Sequence, residues 1–165
     1  MNGILIVDKP AGPTSHDIVN KARHALGIKK IGHTGTLDPM ATGALPLMLG
    51  HATKLAQYLM GGDKTYEAVI RLGARTTTLD AEGEVTEEKP VHVTSEQVAD
   101  AIKTFVGDIE QIPPMYSAKK MGGRKLYELA RKGISVEREA KKVHIHFFEF
   151  LGLVDHDVHV RVRCS

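Results

Sequence analysis

The sequence predicts an α+β fold in which helices flank a mixed, mainly antiparallel sheet. Two segments carry helix-start signals: Ser15 precedes apolar residues at helical spacing, and Thr94 and Gln97 have the spacing of a capping box. Strand signals dominate the C-terminal end, where the valines of residues 157–164 alternate with histidine and arginine. Together these signals indicate an antiparallel or mixed sheet with helices packed against it.

The N-terminal part is predicted to hold two helices and two strands. Residues 3–7 are a short apolar run that polar residues and proline follow, which is typical of a buried strand rather than a signal peptide. Residues 15–26 and 53–60 are predicted helices, and glycines end both of them. Residues 64–72, which include Tyr66, have the composition of a strand.

The C-terminal part is predicted to hold more strand than helix. A short strand is expected at residues 84–86, and a helix opens at Thr94 and buries Phe105. A short basic helix is expected at residues 125–132. Two antiparallel strands, residues 142–153 and 157–164, then close the sequence.

The composition indicates a globular protein and gives no sign of a membrane-spanning segment. The 165 residues are 42% hydrophobic, and no stretch approaches the roughly 20 apolar residues needed to cross a bilayer. The single cysteine, Cys164, excludes an internal disulfide and a thiolate metal site, which predicts a reducing, cytoplasmic location.

The basic residues are unevenly distributed along the chain. Residues 119–142 contain nine lysines and arginines and three glutamates, whereas the rest of the chain contains 13 basic and 17 acidic residues. A basic arm on an acidic body predicts a polyanionic partner. The other interpretation is a solvated, charged helix.

Residues 32–43 (GHTGTLDPMATG) are the most informative stretch for chemistry. Asp38 lies between short polar side chains, Pro39 restricts the backbone beside it, and the stretch contains no second carboxylate. A lone, fixed aspartate suits a nucleophile or a single base better than an acid–base pair. The other interpretation is a simple Asp-Pro turn. Neither a phosphate-binding loop nor a dinucleotide-binding motif is present.

Several segments, in order along the chain, resemble the motifs of the bacterial tRNA pseudouridine synthase B family. The matching segments are 9–15 (KPAGPTS), 32–47, 63–68 (DKTYEA), 71–83, 111–119 (QIPPMYSAK) and 127–131 (YELAR). The resemblance implies the pseudouridine synthase fold. It also implies isomerisation of the T-loop uridine 55 of tRNA to pseudouridine, after base flipping and without metal or organic cofactor.

The resemblance also assigns roles to residues. Asp38 is the expected catalytic aspartate, which attacks the sugar or the base or removes a proton from the sugar. Tyr66 is expected to stack on the flipped uracil, although a strand tyrosine is more commonly part of a core. His33 is expected to contact the flipped nucleotide. Asp80 is expected to orient the site through hydrogen bonds or, equally, to cap a turn.

The remaining roles are support of the catalytic loop and contact with RNA. Loop support is expected from Lys9, Pro10, Gly32 and Gly35. An RNA-gripping insertion at about residues 111–142, made mobile by Gly122 and Gly123, is expected to contact phosphates of the T-arm. The phosphate contacts are expected from Lys119, Lys120, Arg124, Lys125, Arg131 and Lys132.

The family pattern extends past this sequence. A K-G-T-Y-I-R-type motif, the rest of the catalytic domain and a small C-terminal RNA-binding module are expected to be absent. The arginine of that motif pairs with the catalytic aspartate in the family, so we expect residues 1–165 to be weakly active or inactive, and the full-length protein to be monomeric. A non-catalytic RNA-binding or RNA-folding module is the alternative. His144 and His146 share a strand face but lack further ligands at suitable spacing, so no metal site is predicted.

Overall fold

The computed structural model describes residues 1–114, 120–121, 124–125, 136 and 138–165. The chain divides into two compact units, Met1–Gly62 and Asp63–Ser165. All strand pairings within the described ranges are antiparallel. No helix in these ranges is long and apolar enough to cross a membrane.

The N-terminal unit is a three-stranded sheet covered by one helix. Its elements are β1 (Gly3–Lys9), α1 (Ser15–Leu26), β2 (Ile31–His33), β3 (Gly43–Leu49), a 3-10 helix (Gly50–Leu55) and α2 (Ala56–Leu59). The strand order is β1-β3-β2. Apolar side chains of α1 and the sheet form the core: Ile18, Val19, Ile31, Leu45, Leu47 and Leu49.

Four details of this unit differ from the sequence-based expectations, and one is the short strand β2, which the sequence does not predict. Thr14, rather than Ser15, caps α1, and it forms a capping box with Asp17. Residues 53–60 are not one α-helix, because the chain runs through the 3-10 helix before the four-residue α2. Strand β3 was not expected at all. Its Gly43 and Pro46 resemble loop residues, but β3 is the central strand and its burial outweighs its weak strand propensity.

The C-terminal unit is built on a four-stranded sheet. Its elements are β4 (Lys64–Arg71), β5 (Ala74–Thr76), β6 (Val85–Glu88), α3 (Ser95–Lys103), β7 (Gly107–Gln111), β8 (Lys120–Met121), β9 (Arg124–Lys125), β10 (Lys141–Val154) and β11 (Asp157–Cys164). The main sheet has the order β4-β11-β10-β7, and β5-β6 and β8-β9 form separate two-stranded ribbons.

Most of the elements expected in this unit are confirmed. The box between Thr94 and Gln97 caps α3, and β10 and β11 pair across a two-residue turn. Val158 and Val160 are buried, whereas His159 between them and Arg161 and Arg163 beyond them are exposed, as the alternation predicts. They pack with Ile102 of α3.

Three expectations for this unit are wrong or incomplete. Phe105 lies beyond the end of α3 at Lys103 and is half exposed, and its ring meets that of Phe148 in a T-shaped contact. Strand β7 was not expected, although it forms an edge of the main sheet. Lys125 belongs to a strand rather than to a basic helix, and the other residues of that expected helix, 126–132, lie outside the described ranges.

Candidate active site

The loop that carries Asp38 connects β2 to β3 in the N-terminal unit. Its centre is a turn in which the backbone N–H of Ala41 donates to the Asp38 carbonyl at 3.1 Å. Pro39 is the second residue of this turn, the position that its fixed φ favours. The Asp-Pro turn that the sequence left open is therefore present, and it supports the loop that presents Asp38.

Lys9 holds this loop in place through hydrogen bonds to its backbone. Its side chain is fully buried at the end of β1, and its ammonium donates to the carbonyls of Pro10 at 3.0 Å, Pro39 at 3.1 Å and Ala41 at 2.7 Å. A buried cation is costly unless hydrogen bonds replace its water shell. Because Pro39 and Ala41 follow Asp38 within three residues, those bonds fix the backbone on that side of the aspartate.

The segment between β1 and α1 makes further contacts with the loop. The Gly12 N–H donates to the Pro39 carbonyl at 2.8 Å, and the Ser15 hydroxyl is hydrogen bonded to both backbone polar groups of Leu37. The two segments 9–15 and 32–43, separate in sequence, thus form one hydrogen-bonded structure. The contacts of Ser15 were not anticipated, since its sequence context is that of a helix cap.

The Asp38 side chain is exposed. Within the N-terminal unit, no N–H or O–H group donates a hydrogen bond to its carboxylate. This contrasts with Asp17, where hydrogen bonds from the Thr14 hydroxyl and N–H lower the carboxyl pKa. The loop therefore combines a hydrogen-bonded backbone with a carboxylate that is unpaired within the N-terminal unit, an arrangement suited to a nucleophile or a base.

His33 ends β2, in register with Leu47 of β3. Its ring is half-buried, and its Nδ1 is inaccessible to solvent without a hydrogen-bond partner among the described residues. An unsatisfied buried nitrogen costs stability, and a functional role is one of the reasons for which a protein retains such a group. Gly32 and Gly35 flank the histidine, and a side chain at Gly32 would make only an ordinary contact with Thr53.

Tyr66 and Asp80 belong to the C-terminal unit. Tyr66 lies on β4 opposite Val162, with its side chain 39% exposed. Its face of the sheet therefore carries the buried valines of β11, and the ring is only partly covered. The Asp80 carboxylate accepts hydrogen bonds from the Thr78 hydroxyl at 2.6 Å and the Glu82 N–H at 2.9 Å. These contacts are those of a turn cap, the second of the two roles that the sequence left open.

The predicted RNA-contacting residues are only partly within the described structure. Lys120 pairs with Lys125, and Met121 with Arg124, in the short β8-β9 ribbon. Lys119, Arg131 and Lys132, and also Gly122 and Gly123, lie outside the described residues.

The two histidines of β10 contact each other and separate carboxylates. The rings of His144 and His146 are 4.6 Å apart and meet edge to face. His144 Nδ1 lies 2.7 Å from Asp108, and His146 Nε2 lies 2.9 Å from Asp63. In the part of the chain that the structure describes, no three His, Cys, Asp or Glu side chains form a group that could hold a metal ion.

Comparison with known proteins decides the family. Residues 23–165 match the model of the TruB family pseudouridylate synthases, N-terminal domain. The chain belongs to this family. The prediction that the sequence motifs supported is thereby confirmed.

The sequence matches to similar proteins extend over the whole chain. The tRNA pseudouridine synthase B proteins of Aromatoleum aromaticum and Ralstonia pickettii are each 53% identical to it, and that of Salmonella typhi is 48% identical. The matches include 100% of this chain and 54%, 53% and 52% of the respective relatives. The chain thus spans about half the length of the curated relatives it matches.

Solved structures confirm the α+β fold that the TruB family resemblance implied. A chain in the crystal structure of a Cbf5-Nop10-Gar1 complex is 29% identical with a TM-score of 0.72, and the match covers 98% of this chain and 39% of that one. A chain in an H/ACA RNP bound to a substrate RNA containing 2'-deoxyuridine is 26% identical with a TM-score of 0.68. That match covers 98% of this chain and 37% of the other.

Proposed function

We propose that the protein containing this chain isomerises the T-loop uridine 55 of tRNA to pseudouridine, and that residues 1–165 form the N-terminal part of its catalytic domain. The observation that carries the proposal is the state of Asp38. Its carboxylate is exposed and unpaired within its unit, while buried Lys9 holds the backbone beside it. Membership of the TruB family supports an RNA uridine as the substrate.

The reaction exchanges one bond to the ribose for another. The glycosidic bond from C1' to N1 of uracil breaks, a bond from C1' to C5 forms, C5 loses its proton and N1 gains one. The base is first flipped out of the folded RNA. Asp38 acts either as a nucleophile on the sugar or base or as a base toward the sugar, and no cofactor takes part.

Other residues serve binding and orientation. Tyr66 stacks on the flipped uracil with its partly exposed ring, and His33 contacts the flipped nucleotide. Asp80 orients the site through the turn that its carboxylate stabilises. Lys9, Pro10, Gly32 and Gly35 support the catalytic loop.

The partner is the T-arm of tRNA, and the insertion at about residues 111–142 provides the phosphate contacts. Its net basic charge supports this assignment, because phosphate contacts position RNA while loop shape and the flipped base supply selectivity. The predicted contacts are Lys119, Lys120, Arg124, Lys125, Arg131 and Lys132. We propose a cytoplasmic location and a monomeric full-length enzyme.

Asp38→Asn tests this proposal in a full-length protein that contains this chain. We expect tritium release from a T-arm RNA labelled at uridine C5 to fall roughly 1,000-fold or more. The affinity for the RNA should stay within about threefold, because an amide keeps the size of the carboxylate. Asp8→Asn is the matched control, since Asp8 is exposed in the same unit and the charge change is the same. Full turnover by Asp38→Asn would contradict the proposed chemistry.

The second candidate function is that residues 1–165 alone act as an RNA-binding module with little or no turnover. The observation that favours it is that the chain matches only about half of each relative. Tritium release by this chain, measured beside that of the full-length protein, distinguishes the catalytic function from the RNA-binding function. If only the longer protein releases tritium, the remaining half completes the site. Full turnover by residues 1–165 would show that this chain suffices.

A further inference from the structure

Ser15 is the first residue of α1, but its hydroxyl bonds outside the helix. The hydroxyl donates to the Leu37 carbonyl at 2.9 Å and accepts from the Leu37 N–H at 2.9 Å. The residue is 2% exposed. A hydroxyl has one proton to donate and lone pairs to accept with, so both bonds form at once.

The two bonds secure the residue that directly precedes Asp38. The side chain of Leu37 packs against the core of the N-terminal unit, and Ser15 pairs both of its backbone polar groups. On the other side of Asp38, the Pro39 carbonyl accepts from Gly12 and Lys9. Both neighbours of the aspartate are therefore fixed by groups far from them in sequence.

A serine satisfies this position better than its alternatives. Alanine would leave the N–H and carbonyl of Leu37 without these partners. Threonine would keep the hydroxyl and add one methyl group to a buried site. Helix capping does not explain the serine, because Thr14 already performs that role.

We propose that Ser15 is a positioning residue for Asp38: its hydroxyl fixes the Leu37 backbone so that the carboxylate is presented in one place to the RNA. This inference rests on the proposed function, in which Asp38 is the reactive group. Ser15 itself does not contact the reacting atoms. Its effect is on the orientation of the aspartate, and a small misplacement of a catalytic group has a large kinetic cost.

The test compares Ser15→Ala with Thr14→Ala. Thr14→Ala removes the cap of the same helix and leaves the contact with Leu37 intact, so it controls for weakening of α1. In this chain, we expect Ser15→Ala to speed exchange of the Leu37 amide proton by about tenfold or more, as for loss of a buried hydrogen bond. Thr14→Ala should leave that rate within about twofold.

The kinetic measurement uses the full-length protein that contains this chain. We expect kcat for tritium release to fall about 100-fold in Ser15→Ala while KM stays within about twofold, because positioning acts on the chemical step. Ser15→Thr keeps the hydroxyl and should recover most of the lost kcat. Thr14→Ala should retain kcat within about twofold.

The outcomes separate this inference from the proposed function. Unchanged exchange of the Leu37 amide in Ser15→Ala would overturn the contact itself, whatever the activity. Faster exchange with unchanged kcat would overturn the positioning role, as would an equal loss of kcat in Thr14→Ala. Retained turnover in Asp38→Asn would contradict the proposed function, and the positioning role of Ser15 with it.

Discussion

The N-terminal unit buries three polar side chains, whereas the C-terminal unit displays its charges on the surface of a sheet. Where side chains are described, the buried polar ones are Lys9, Ser15 and Thr34, and all three belong to the N-terminal unit. The first two bond to the backbone around Asp38. In the C-terminal unit, Arg161 of β11 contacts Glu67 of β4 at 2.7 Å and Glu149 of β10 at 3.4 Å, with all three side chains exposed.

Burial changes how much a polar contact contributes to stability, so the contacts of the two units differ in importance. A surface ion pair exchanges water for a charged partner, so its net contribution is small and salt weakens it. A buried donor whose partner is lost cannot turn to water, so breaking its bond carries the full desolvation cost. Rigidity at Asp38 therefore depends on a few buried groups, whereas the charged sheet face tolerates substitution.

The largest expected effect is that of Lys9→Met. Methionine keeps the apolar stem and removes the ammonium, so the carbonyls of Pro39 and Ala41 lose a buried donor. We expect the free energy of unfolding of the N-terminal unit to fall by about 3 kcal/mol. Urea unfolding followed at the Leu47 methyl groups by NMR measures this, since that side chain is fully buried in this unit.

Lys21→Met is the control for this substitution. Lys21 is exposed on α1, so the same change there should cost less than about 0.5 kcal/mol. If both variants lost equally little, desolvation of the Lys9 ammonium would cancel what its hydrogen bonds contribute, and the contrast between the two units would fail.

A smaller effect is expected from Val160→Ala in the C-terminal unit. Val160 is 1% exposed, and its loss of two methyl groups should cost about 2 kcal/mol. Its neighbour Arg161 lies on the opposite, charged face of the same strand, and Arg161→Gln should change the unfolding midpoint far less. Urea unfolding of both variants compares adjacent residues in one strand. A larger loss from Arg161→Gln would show that the charged face, rather than the apolar layer, stabilises the sheet.

Prediction from sequence succeeded where the signal was local. The β10-β11 pair follows from alternation over two long segments, and α3 follows from the box between Thr94 and Gln97. Strand β3 was missed because its burial comes from strands on both sides, which Gly43 and Pro46 do not reveal.

The residues of the candidate site also divide into those with a local sequence signal and those whose partners are distant in sequence. Asp38 stands out because glycines and Pro39 surround it in sequence, whereas nothing near Lys9 in the sequence reveals its hydrogen bonds to three backbone carbonyls. The neighbours of Ser15 along the chain are those of a helix start, so its sequence context predicts a cap. Its partner Leu37 is 22 residues away, and only the packing of the unit reveals that pairing.

The smallest expected effect is a pH dependence on the charged sheet face. Asp63 accepts from His146 at 2.9 Å and Arg163 at 3.2 Å, and the hydrogen bond from His146, followed by the contacts with Arg163, lowers its carboxyl pKa from 3.8. A lowered pKa stabilises the fold above the unfolded-state value, and that contribution disappears as the pH falls through the folded-state value. Stability should therefore fall less between about pH 5 and pH 2 in Asp63→Asn than in the unsubstituted chain.

The partners of Asp63 should act on its pKa in a fixed order. Carboxyl NMR titrations of His146→Ala and Arg163→Gln should both show a pKa higher than in the unsubstituted chain. The rise should be greater in His146→Ala, because the imidazole makes the larger contribution. The same pKa in all three proteins would mean that these contacts do not persist in solution. The charged face would then contribute even less than its exposure implies, and the difference between the two units would be wider.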